Sequence, residues 1–270
     1  MKRAGLWLGL ALACAWSLAP FLWQLSTSLK PQAELETLPP LLPTTLTLQH
    51  YQAIFSGYPL LHLLANSALV AAGTTVLAVG FGSLAGFALA KLPVRGRTGV
   101  LAGVVVLSML PPIATVSPLF LMLNAAGLRD TLVALILVYT GFALPLAVWL
   151  MTQFFRGIPS ELYIAARVDG CSAFGALRKV MLPLALPGIA ATALLTFIQS
   201  WNEFLYALSL TSSDAARTIP VAIALFPGLH EIPWGEIAAG SVVATLPVVL
   251  LAVLFQRRVL EGLTAGAVKG

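Results

Sequence analysis

From Gly157 to Gly188 the chain reads GIPSELYIAARVDGCSAFGALRKVMLPLALPG, a polar and charged stretch set between segments that are almost purely apolar. Ser160, after Pro159, is placed to cap a helix, Glu161 sits in its first turn where a negative charge favours the dipole, and Gly170 can close it in a left-handed conformation. Glu161, Ala165 and Asp169 recur four residues apart and so share one face. With the small residues Ala165 and Ala166 between two acids, that face lets another protein approach the backbone while the acids meet its cations. The pattern reads as a docking helix.

The surrounding composition identifies the solvent. Of 270 residues, 59% are hydrophobic and only 9% charged, against about 25% charged in an ordinary soluble domain. Such a chain belongs mainly in a bilayer. A net charge of +5 does not indicate nucleic acid, because the basic residues stand singly between apolar runs instead of forming a patch. Cys14 and Cys171 lie in unlike surroundings and have no metal-ligand spacing, and His50, His62 and His230 are isolated. Neither a metal nor a cofactor is expected.

Outward from the docking stretch, the apolar segments divide into six spans. The first runs from about Leu6 to Leu25; its basic start could mark a cleaved leader, but an apolar run of about 20 residues favours a membrane anchor. A proline-rich loop follows to Pro59. Spans two to four cover Leu61 to Leu89, Val100 to Leu123 and Thr131 to Phe154, and spans five and six cover Leu184 to Leu210 and Ile237 to Phe255. Gly82 and Gly86 in the second have a spacing that lets helices pack closely in lipid. Pro111, Pro112 and Pro118 should kink the third where it faces protein or a wet cavity. With both termini cytoplasmic, every one of the fifteen lysines and arginines except Lys30, Arg129 and Arg217 falls on an inner segment. That asymmetry supports the layout and places the docking helix in the cytoplasm.

Two further groups stand out. Gln199, Asn202 and Glu203 are polar residues at helical spacing in the fifth span, where an ionisable side chain is a candidate for a translocation path. The competing reading places Glu203 at the outer end of its span, solvated or bonded to a neighbouring helix. The tail, Gly262 to Gly270, has the composition of a frayed terminus. The chain has no GxxxxGK[ST] phosphate loop and no set of nucleophile and base, so an enzyme reading has little support.

Taken together, these residues resemble the permease subunits of binding-protein-dependent ABC importers. Ala165-Ala166, Asp169-Gly170 and Leu182-Pro183 match the conserved EAA loop of that family. PTTLTLQHYQAIF from Pro43, SPLFLML from Ser117, SWNEF from Ser200 and the terminal GLTAGAVKG are similar to its carbohydrate importers of the maltose-permease type, so the likeness extends over nearly the whole chain. One departure is Ile164, which stands where the family's triplet begins with Glu.

The resemblance implies an all-α polytopic permease core of six helices, with residues 1–60 forming the first helix and an external loop, 61–257 the transporter domain and 258–270 a cytoplasmic tail. It implies a prokaryotic inner-membrane subunit that pairs with a second permease, with cytoplasmic ATPase subunits and with an external binding protein that delivers a sugar. Glu161, Ile164, Ala165, Ala166, Asp169 and Gly170 would couple to the ATPases, and Thr264, Gly266 and Lys269 would reach them from the tail. An ion-coupled secondary transporter is the alternative. It would require relay groups near the midplane and repeat symmetry, for which Glu203 alone is insufficient.

Overall fold

The computed structural model describes residues 2–36, 40–226 and 232–267, with backbone alone beyond Gln256. The described residues contain helices and no strand. In chain order these are α1 (Lys2–Ser28), α2 (Gln32–Leu35), α3 (Gln49–Gly57), α4 (Leu60–Lys91), α5 (Arg97–Ser108), α6 (Pro112–Ala125), α7 (Leu132–Gly157), α8 (Ser160–Val168) and α9 (Ala173–Ala176). A π-helical turn at Leu177–Met181 leads to α10 (Leu182–Leu184), α11 (Leu186–Trp201), α12 (Leu205–Leu210), α13 (Ile219–Ala224) and α14 (Trp234–Ala267).

Four of these helices, α1, α4, α7 and α14, are long and apolar enough to cross a membrane unbroken. Two bent helix pairs bring the number to the six expected from hydropathy if each pair is counted as one span. α5 and α6 meet at 88°, and the run Ala173–Leu184 meets α11 at 79°. The first bend follows from Pro111 and Pro112: proline has no N–H for the preceding turn, and it disfavours helical geometry in the residue before it. Pro112 then serves as an opening residue of α6. In the second pair, Pro183 removes the donor that would reach Lys179, and the ladder widens into the π turn just before it.

The fifth span differs from the sequence expectation of one helix over 184–210. It is broken at Asn202, Glu203 and Phe204, between α11 and α12. No glycine or proline marks this break. It is stabilised instead by a side-chain cap described below.

The chain falls into two compact units, Met1–Leu64 with Thr218–Val248, and Ala65–Arg217 with Val249–Gly270. In the first, the end of α1, the loop after it, α3, α13 and the start of α14 form a polar-tipped cluster. Lys30 is fully buried, its ammonium 4.3 Å from the centre of the Trp23 ring. Its carbonyl is 2.9 Å from the His50 ring nitrogen Nε2, and Ser28 pairs with the Tyr51 hydroxyl at 2.8 Å. Tyr58 stacks on Phe226 at 4.2 Å.

In the second unit α7 is the central element, with α5 and α11 packed along it. Gly82 and Gly86 of α4 face its backbone. A Cβ on Gly82 would lie 2.9 Å from the Ala147 Cβ, and one on Gly86 would lie 2.8 Å from the Met151 Cβ and the Thr152 nitrogen. The close approach that this spacing allows is thus made within the chain. Below it, Phe87, Met151, Phe155, Leu177 and Met181 form one buried cluster that ties α4 and α7 to the π turn.

Candidate functional site

The first candidate surface is α8. Its inner side is held by Tyr163, whose ring meets Phe87 edge-on at 5.6 Å, and by Ala166, which is buried. Lys91, at the end of α4, donates to the Ile158 carbonyl at 2.5 Å and to the Ser160 hydroxyl at 3.2 Å. Ser160 therefore makes no cap. α8 starts at Ser160 itself, with Pro159 as the preceding residue and no side-chain cap bond. At the other end Gly170 has φ +84°, its N–H reaches the Arg167 carbonyl at 3.2 Å, and the Cys171 N–H reaches the Ala166 carbonyl at 3.0 Å. These two bonds form a Schellman motif, which satisfies carbonyls that the helix end would otherwise leave bare.

With Tyr163 and Ala166 turned inward, the outward face of α8 is Glu161, Ile164, Ala165 and Val168, the i, i+3, i+4, i+7 positions of one stripe. Ile164 is 57% exposed and Val168 81%, while Glu161 and Asp169 stand exposed at the two ends. The free face is therefore more apolar than the sequence pattern suggested. Ala166 supports the helix from beneath, and Val168, unremarked in sequence, takes an outer position. The helical period places Val168 seven residues after Glu161, a signal that was available.

The second candidate is a cavity of about 1160 Å³ in the unit that contains α7. It is walled by the bend between α5 and α6, the middle of α7, and the break in the fifth span. Gln199, Asn202 and Glu203 all line it. Gln199 and Asn202 are exposed, and the Asn202 amide donates to the Ile198 carbonyl at 2.8 Å, which leaves its oxygen available.

Glu203 has a defined local task. Its carboxyl oxygens accept the Tyr206 N–H at 2.9 Å and the Ala207 N–H at 3.2 Å, capping α12 from the position before its N-cap residue, Phe204. These are backbone donors that a new helix start leaves unpaired. The two readings of Glu203 are thus compatible: it is hydrogen-bonded, and it borders the cavity. Sequence reading missed Tyr206, whose hydroxyl pairs with Thr115 at 2.7 Å and donates to the Pro112 carbonyl at 3.3 Å. Its ring stacks on Phe142 at 4.8 Å. A residue just beyond the fifth-span break is in this way bonded to the start of α6 at the third-span break.

At the far end of α12, Asp130 links two loops. It is the one non-glycine among the described residues with a positive φ, 58°, a conformation that aspartate tolerates. Its N–H reaches the Leu210 carbonyl at 3.1 Å, and its carboxylate accepts the N–H of Ser212 at 2.8 Å and the hydroxyl of Ser213 at 2.6 Å. Burial works against its ionisation, but these donors outweigh that and hold its pKa down to about 2. Asn66 secures the same segment, donating to the carbonyls of Asp214, Ala215 and Arg217.

Of the tail residues, Thr264 and Gly266 fall in the last turns of α14 as backbone only, and Lys269 lies outside the described residues.

Residues 78–263 match the family described as the binding-protein-dependent transport system inner membrane component. The trehalose transport system permease protein SugB of Mycobacterium tuberculosis is 44% identical, over 100% of this chain and 99% of its own length. The sulfoquinovosyl glycerol transport system permease protein SmoH of Agrobacterium fabrum is 43% identical, over 94% of this chain and 89% of its own. In three dimensions the chain superposes on a crystal structure of a bacterial ABC transporter involved in import of the acidic polysaccharide alginate, with TM-score 0.79 and 22% identity over 95% and 96% of the two chains, a likeness of fold.

Proposed function

Because the chain belongs to the family of binding-protein-dependent transport system inner membrane components, we propose that it is the permease subunit of an ATP-driven carbohydrate importer. It pairs with a second permease to enclose a translocation path. An external binding protein delivers the sugar, and paired ATPase subunits dock on the cytoplasmic side, where both termini of this chain also lie. The alternating apolar and charged layout, the lack of a phosphate loop and relatives named for sugar transport support this reading.

The observation that carries it is the attachment of an exposed docking helix to the helices that wall the cavity. α8 is fastened to α4 through Lys91 and through the contact of Tyr163 with Phe87, and Phe87 belongs to the cluster that includes Met151 and Phe155 of α7. α7 in turn lines the cavity with Tyr139, Phe142 and Leu146. A push on α8 therefore moves packed helices rather than a loose loop. ATP does the switching by binding the closed arrangement of the ATPases more tightly than the open one. The docking face engages them with Ile164 and Val168 in an apolar contact and with Glu161, Asp169 and the close-approach residues Ala165 and Gly170 around it. Gln199, Asn202 and Glu203 border the path, and Thr264, Gly266 and Lys269 extend the contact from the tail.

The test is reconstitution of the complete complex in vesicles, with ATP on the ATPase side and the binding protein on the other. Sugar accumulation should require both and survive collapse of ion gradients; accumulation driven by an ion gradient without ATP would establish the secondary-transporter reading instead. In the same preparation, Ile164→Glu should weaken ATPase assembly by burying a carboxylate in an apolar contact. If Glu161→Ala and Asp169→Ala both leave assembly and coupling unchanged, the acids have no place in the interface.

A further inference from the structure

The docking helix α8 is joined to the membrane helices by a covalent link and by side-chain contacts, and the contacts hold it in a way the link does not. Between α7 and α8 the chain passes through Ile158 and Pro159, both extended, with φ −77°, ψ 132° and φ −53°, ψ 134°. Gly157 precedes them, and a Cβ there would meet nothing within 4 Å. The helical ladder of α7 therefore does not run on into α8, and rotation about the backbone bonds of such a link changes the tilt of the helix it carries. The link transmits a pull and sets no pitch.

Pitch is set from α4. Phe87 and Lys91 are four residues apart and so stand one turn apart on one face of that helix, and Ser160 and Tyr163 are neighbours on α8 in the same way. Phe87 meets the Tyr163 ring edge-on at 5.6 Å, while Lys91 donates to the Ser160 hydroxyl at 3.2 Å and to the Ile158 carbonyl at 2.5 Å. A helix held at one point pivots; held at two it does not. The ring pair is an apolar contact of broad geometry, whereas the ammonium bridges a carbonyl of the link and the first residue of the helix. A hydrogen bond from a charged donor is roughly twice as strong as a neutral one, and Lys91 is half-buried, which limits competition from water. Phe87 also meets Phe155 of α7 edge-on at 5.9 Å, and Gly82 and Gly86 hold α4 against the α7 backbone, so that what moves α4 moves α7.

We infer that Lys91 is the positioning residue of the docking helix: it locks the pitch of α8 to α4, so that movement of the ATPases enters the membrane helices through α4 and not along the link at Ile158 and Pro159. The inference rests on the importer reading and adds to it the residue and the route that couple docking to the path.

The complete complex in vesicles, with its binding protein and ATP, is assayed for sugar imported per ATP hydrolysed, with a panel of radiolabelled sugars that includes trehalose and maltose. Lys91→Met keeps the aliphatic stem and removes the ammonium. It should lower this ratio about fivefold, the effect of one charged hydrogen bond weakened by partial exposure, while the ATPases still co-purify with the chain. Lys91→Arg, which keeps the donors, should restore most of the ratio. Arg95, four residues on, is exposed and makes no hydrogen bond or ion pair among the described residues; Arg95→Met should leave the ratio unchanged. With Cys14 and Cys171 replaced by serine, Lys91→Cys combined with Ser160→Cys should be uncoupled when reduced. It should regain coupling when a reducible bifunctional methanethiosulfonate, about as long as a lysine side chain, bridges the two thiols. An unchanged ratio in Lys91→Met, an equal fall in Arg95→Met, or failure of the thiols to be bridged or of the bridge to restore coupling would overturn the lock while leaving the importer intact. Loss of ATPase co-purification in Lys91→Met would overturn it too, since the lysine would then be needed to form the docking face and not to set its pitch. ATP-dependent uptake of no member of the panel by the unaltered complex would overturn the importer reading and the lock with it.

Discussion

Substituting Gly86 by alanine tests the seam on which α4 and α7 meet. The added Cβ would lie 2.8 Å from the Met151 Cβ and from the Thr152 backbone nitrogen, about 0.7 Å inside the roughly 3.5 Å at which such atoms attract best. The Thr152 nitrogen belongs to a helix backbone and cannot rotate away, so the helices must separate. Separation on that scale forfeits about a quarter to a half of each contact along the seam, including those of the buried alanines Ala78, Ala143 and Ala147. The expected cost is about 1–3 kcal/mol, a fall of roughly 2–12 °C in the midpoint of thermal unfolding for a chain of this size. Gly80, in the same helix, is the control, because a Cβ there meets nothing within 4 Å. Gly80→Ala should be neutral or stabilising by about 0.5–1 kcal/mol, since alanine loses less backbone freedom in a helix. Thermal unfolding of the detergent-solubilised chain, followed by tryptophan fluorescence, distinguishes them. Equal midpoints for Gly86→Ala and Gly80→Ala would refute the reasoning.

Three other outcomes are expected. Asp130 is depressed in the folded chain from 3.8 to about 2, so its stabilising effect is fully present above pH 3.8 and is lost as the pH falls through about 2. After allowance for solvent screening it contributes about 1 kcal/mol, and the unfolding midpoints of the unaltered chain and Asp130→Asn should converge between pH 4 and pH 2. Replacing Glu203 by alanine removes the cap of α12 and should cost about 0.5–2 kcal/mol, whereas Glu203→Gln keeps an acceptor and should cost less; hydrogen exchange at the Tyr206 and Ala207 amides reports the difference. Lys30 has no hydrogen-bond partner for its ammonium among the described residues and lies over Trp23. Lys30→Met should therefore be close to neutral or stabilising, while Trp23→Leu should destabilise by about 0.5–2 kcal/mol, both read by thermal unfolding.

The sequence by itself determined the solvent and the all-helical class, because a lipid-soluble helix is written locally, as a run of apolar residues long enough to cross the bilayer. It also placed the sharp bend between α5 and α6, since Pro111 and Pro112 act on their own backbone, and it located the helix stop at Gly170. The break at Asn202 to Phe204 was not legible: no residue there forbids a helix, and the break depends on the Glu203 carboxyl finding the N–H groups of Tyr206 and Ala207. Ala166, expected on the docking face, lies inward instead because the face that α8 turns to the core is set by the contact of Tyr163 with Phe87, far earlier in the chain. Only the tertiary structure decided that Tyr139, Gln199, Asn202 and Glu203 border one space and that Tyr206 joins two helix breaks. Those relations are set by packing between helices remote in sequence, which no local pattern of residues records.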